Sequence, residues 1–221
     1  IRPSLRRWLW RPILIVFLAN ACIMVLELVA ERVIAPDVGV SLYTWTSIIG
    51  VVLAGLSLGN WIGGVWADRG AGERAAGLVL LLAAVSVFAV LLILPRLGAP
   101  LQDAPLSLAS VSLILGGALF FIPAALLGVL TPLFTTLALR LSSRTGHIVG
   151  LMHALAALGS ILGTFATGFW LVQWIGSRDI IVATAVALLL LSLPLLGRRA
   201  AIAGAAAGVL VAGLALARRP T

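Results

Sequence analysis

Asn20, Glu27 and Glu31 stand seven and four residues apart in an otherwise apolar run, so they share one stripe of a helix. An ionised carboxylate near a bilayer interior costs roughly 3 kcal/mol unless it is paired, protonated or wet. Arg32 follows Glu27 at a spacing that points it elsewhere on the helix and cannot serve as its partner. Glu27 therefore has two readings. Either it faces a cavity and handles a proton or another cation, or it bonds across to a second helix, where Asn60 and His153 are the polar residues on offer. Glu31 and Arg32 lie nearer the outer end and read as interfacial. Asn20, Glu27, Glu31, Asn60 and His153 make up the candidate intramembrane polar site.

Other chemistry finds little support. His147 and His153 do not share a helix face as metal ligands at a spacing of four would, and His153 reads as a packing or hydrogen-bonding residue. Cys22 is the only cysteine, which excludes a disulfide within the chain and any multi-cysteine metal site. No serine or cysteine has a histidine and carboxylate placed to activate it. The expectation is a chain without catalytic residues, metal or cofactor.

The elements that position these residues are set by hydropathy. Of 221 residues, 62% are hydrophobic and 10% charged, with mean hydropathy +1.20. That is the composition of an integral membrane protein. The net charge of +8 comes from fifteen arginines against seven acids, and these arginines flank apolar runs. They read as topology determinants and lipid-headgroup contacts, not as a nucleic-acid surface.

The spacing predicts an all-α polytopic bundle of about seven spans. A basic N-terminus (1–11) leads into a first span that ends near Ile34; the apolar run continues past Cys22, as a spanning helix does and a cleaved leader does not. Ala35 to Leu42 is a connector with Pro36 and Gly39 as breakers. The second span, Tyr43 to Trp66, carries no charge and is long enough for a hydrocarbon core of ~30 Å. The third closes the 12–94 block of three spans. Residues 95–106 contain three prolines and read as an extracytoplasmic loop. Spans four to six occupy 107–196. The fourth reads as one helix from about Ser110 to Leu139, kinked at Pro123 and Pro132, with two short spans as the alternative. The seventh is 201–217. With the N-terminus in the cytoplasm of a cell whose inner membrane holds the chain, seven spans put ten arginines inside and five outside; splitting the fourth span gives nine and six.

Gly55, Gly59 and Gly63 recur every four residues and form a side-chain-free helix face suited to close packing. Residues 55–66 align without gaps to 159–170, matching Gly55 with Gly159, Leu58 with Leu162, Gly59 with Gly163, Gly64 with Gly168 and Trp66 with Trp170. Either the first six spans form a 3+3 inverted repeat with one extra helix, as in many transporters, or two glycine-rich packing helices coincide. Gly159, Gly163 and Gly168 join the first three glycines as packing candidates.

LELVAERVIAPDVGVSLYTWTSIIGVVLAGLSLGNWIGGVWADR (26–69) resembles the membrane domain of the fused major-facilitator-like/spermidine-synthase-like proteins, and 150–169 resembles that family's second glycine-rich helix. Gly64, Asp68, Arg69, Gly72 and Arg74 resemble the loop motif after the second helix of major facilitators, with one residue inserted and Glu73 at a basic position. In that family the membrane domain precedes a soluble Rossmann-like domain similar to aminopropyltransferases. No nucleotide-binding glycine loop or acidic polyamine cluster occurs here, so the resemblance implies a membrane module and not catalysis. The expected role is an anchor or scaffold in the lipid bilayer, for a C-terminal synthase-like domain beyond this sequence or within a larger complex of membrane subunits. The alternative is a transporter-like module for a polyamine or another cation, using Glu27.

Overall fold

A computed structural model describes residues 3–102, 104–140 and 144–197. Every regular element among them is helical. In order they are α1 (Pro3–Val38), α2 (Leu42–Asp68), α3 (Glu73–Gln102), α4 (Leu108–Leu139), α5 (Thr145–Ala166), a π-helical turn (Thr167–Leu171), α6 (Val172–Trp174) and α7 (Ser177–Ser192). Among the described residues five stretches are long and apolar enough to cross a membrane: Trp10–Val38, Leu42–Asp68, Glu73–Leu101, Leu108–Leu139 and Thr145–Trp174. At ~1.5 Å per residue α7 spans about 24 Å and is the shortest of the main helices. The seventh span expected at 201–217 lies outside the described residues.

Helix ends follow local chemistry. Ser41 and Ser107 accept from the backbone N–H of Thr44 and Ser110, the N-cap bonds that start α2 and α4. The α2–α3 hairpin turns at Gly70, whose φ of +89° is left-handed; Arg69 N–H donates to Val65 O and Gly70 N–H to Ala67 O. At the same end, the Arg140 guanidinium donates to Ala67 O across 2.8 Å, fastening the end of α4 to the end of α2.

Two boundaries differ from expectation. α1 runs on through Pro36 to Val38, and α3 runs through Pro95 and Pro100 to Gln102, where the sequence reads as a connector and a loop. These tails pack on each other, with Gly98 of α3 lying directly against the Asp37 carboxyl group. Each proline removes one backbone donor, and the packed tails keep the rest of the ladder intact. α4 is one helix through Pro123 and Pro132, which decides against two short spans.

α1 and α4 form the core, with half or more of their most apolar stretches buried (50% and 56%), against 33% for α2 and 28% for α5. Val16, Ala19, Val29 and Ile34 of α1 meet Leu115, Leu130, Leu133 and Phe134 of α4 in one apolar cluster, which α3 and α7 complete with Leu80, Val87 and Leu188. α2 packs chiefly on α4, and α5 chiefly on α1. α2 and α5 are the two outer walls of the bundle.

Candidate functional site

The glycine face does what its spacing requires. Gly55 lies against Phe121 O and Ala124, Gly59 against Ala125 O and Gly128, and Gly63 against Val129 O and Pro132. Partner numbers rise together in steps of four, so α2 and α4 run parallel with backbones in contact. On the other side of the bundle, Gly159 lies against Phe17 O and Gly163 against Ala21 O. A methyl group at any of these five positions would overlap a backbone carbonyl oxygen, which is why the contact is made by glycine. Gly168 is the exception and corrects the expectation. Nothing lies near it, and Thr167 takes the buried place, donating its hydroxyl to Gly163 O. Four-residue steps from Gly159 reach 163 and 167; residue 168 is rotated ~100° away.

The polar residues fall into two groups at different depths. A cavity of about 490 Å³ lies between α1, α2, α4 and α5, with Asn20, Asn60, His153, Thr131, Thr135 and Thr136 as its polar lining. Its size is that of a small-ligand pocket. Asn20 Nδ2 donates to Val16 O at 2.8 Å and to Thr131 Oγ1 at 3.3 Å, so it ties α1 to α4 at the cavity wall. Asn60 and His153 are exposed, and the cavity opens through them onto the flank between α2 and α5.

Glu27 and Glu31 do not enter this cavity. They line a separate pocket of about 30 Å³ with Trp45, Ile48 and Ile49 at the end of the bundle where α2 begins. Glu31 Oε1 is buried without a hydrogen-bond partner. Asn20, Glu27 and Glu31 do share the α1 stripe, but Glu27 lies about 10 Å further along the axis than Asn20. The structure therefore brings Asn20, Asn60 and His153 together and leaves the two carboxylates apart from them. Asn60 and His153 are not partners for Glu27.

Sequence reasoning missed Thr131, Thr135 and Thr136. Thr131 and Thr135 stand one helical turn apart, the signal that placed Glu27 and Glu31 on a stripe, but in an apolar helix such threonines read as self-satisfied. Thr135 indeed donates to Thr131 O. Asp68, Arg69 and Arg74 are exposed at the short α2–α3 hairpin. Its conformationally demanding glycine is Gly70, and not Gly72. Among the described residues no group of three or more His, Cys, Asp or Glu side chains could hold a metal ion.

No protein-family model, curated protein or solved structure matches this chain.

Proposed function

We propose that this chain is a non-catalytic integral membrane module, a scaffold or accessory subunit that presents the α2–α5 flank to another membrane protein surface. The observation that carries this reading is the open cavity. Asn60 and His153 are exposed at its mouth on spanning helices, about 12 Å in from the end of α2 and the start of α5. Amide and imidazole groups facing acyl chains are costly, and a covering protein surface removes that cost.

Within this proposal α1, α2 and α3 are related to α4, α5 and α7 as a 3+3 inverted repeat. The swapped contacts support it: Gly55 meets Phe121 where Gly159 meets Phe17, and Gly59 meets Ala125 where Gly163 meets Ala21. Every partner is displaced by the same 104 residues that relate the two glycine helices. α3 and α7 also begin at Glu73 and Ser177, at that same displacement. A seventh span, a cytoplasmic N-terminus, an inner-membrane location and kinship with the synthase-linked membrane domains belong to the same proposal.

The transporter-like reading for a polyamine or other cation has less behind it. The large cavity is lined without a carboxylate, and Glu27 stands in a pocket of its own. A photo-crosslinking residue at Leu53 or Ile161 in native membranes tests the docking reading. Protein adducts are expected there and lipid adducts at Leu82; lipid adducts at all three positions would overturn it.

A further inference from the structure

We infer that the α2–α5 flank is closed by a second copy of this chain, related by a two-fold axis along the bundle. This rests on the docking reading above and names its partner. Asn60 stands a little over two turns, about 12 Å, before the end of α2 at Asp68, and His153 the same distance after the start of α5 at Thr145. Those two ends lie together, because Arg140 binds Ala67 at the end of α2 and α5 starts just beyond it. Asn60 and His153 are therefore level.

A two-fold rotation about an axis in front of the cavity lays α2 on the partner's α5 and α5 on the partner's α2. It sets Asn60 opposite the partner's His153 and, by the same operation, His153 opposite the partner's Asn60. An amide carries both a donor and an acceptor and an imidazole has two ring nitrogens to pair with them, so the two contacts complement each other. One isologous operation satisfies both exposed polar groups at once, and two facing cavities become one enclosed polar chamber. A different protein would need its own donors and acceptors placed at both walls.

The rows beside these residues suit close helix approach. On α2, Ser57, Asn60 and Gly64 share a face; Ala157 and Thr164 of α5 and Gly168 of the π-helical turn that follows it line another. Gly64 and Gly168 have open space beyond them, unlike the glycines packed inside the bundle. Small and polar residues at an exposed transmembrane face are what helix association in lipid uses.

The test mixes two differently tagged full-length chains, one Asn60→Cys and one His153→Cys, both carrying Cys22→Ala. After mild oxidation of native membranes, a disulfide-linked species holding both tags is expected at twice the chain mass, while a Leu82→Cys pair stays monomeric. Photobleaching of the labelled wild-type chain in liposomes provides a second measurement, free of substitutions at the interface, and should show two steps. Single-step bleaching with no mixed-tag species would overturn the second copy. If crosslinkers at Leu53 and Ile161 then still capture only other proteins, the docking reading stands without it. If they capture only lipid, both fail.

Discussion

At the scale of single residues, glycine identity and polar placement make separable predictions. Gly59→Leu and Gly163→Leu drive a side chain into the Ala125 and Ala21 carbonyl groups, and each should lower stability by at least the ~1–3 kcal/mol typical of overpacking. Gly64→Leu and Gly168→Leu meet open space within the single chain and should leave unfolding of the detergent-solubilised monomer unchanged. Equal melting of all four variants would contradict the packing described for α2 and α5. Asn20→Leu deletes a hydrogen bond between α1 and α4, and interhelical bonds of this kind are worth about 0.6 kcal/mol in membranes. Denaturant titration of the detergent-solubilised variant should show a loss of that order; a loss several times larger would mean that Asn20 holds more of the cavity wall than its one interhelical bond.

At the scale of elements, the α2–α3 hairpin separates a structural glycine from one that matters only by resemblance. Gly70 adopts φ +89°, which a β-branched residue enters only with strain, whereas Gly72 has ordinary backbone and open surroundings. Gly70→Val should therefore lower the melting temperature by several degrees, and Gly72→Ala should not. Circular dichroism melts of the two variants decide it, with equal shifts counting against the turn. The long proline-containing tails of α1 and α3 show why element ends were hard to read. A proline marks a lost donor, and whether that ends a helix depends on what packs against the tail. Asp37 against Gly98 is a contact between residues about sixty apart in sequence, and no local window contains it.

At the scale of the whole molecule, the odd number of helices in each proposed repeat has a topological consequence. The α2–α3 and α3–α4 connections must lie on opposite sides of the membrane if α3 crosses it. In a Cys22→Ala background, Ala71→Cys should react with an impermeant maleimide only from the cytoplasm, and Leu106→Cys only from outside. Labelling of both from one side would remove α3 as a span and the inverted arrangement with it. The order of burial is consistent with a bundle built for association: α1 and α4 are the most enclosed helices, and α2 and α5 the least.

What the sequence determined by itself is the solvent and the helices. The hydrophobic runs require spanning helices because lipid leaves backbone polar groups no other way to be satisfied, and glycines every four residues require a face of close approach. Those are properties of one helix, and one helix is enough to read them. Which carbonyl groups each glycine face meets, that Thr131 and Thr135 share a cavity with Asn60 and His153, and that Glu27 stands outside it are properties of pairs of helices. A stripe records direction around an axis. It does not record which neighbour fills that direction at each depth, and along α1 the neighbour changes between Asn20 and Glu27. Only the tertiary packing decides that, because close approach at glycine fixes the rotation and axial register of each helix together.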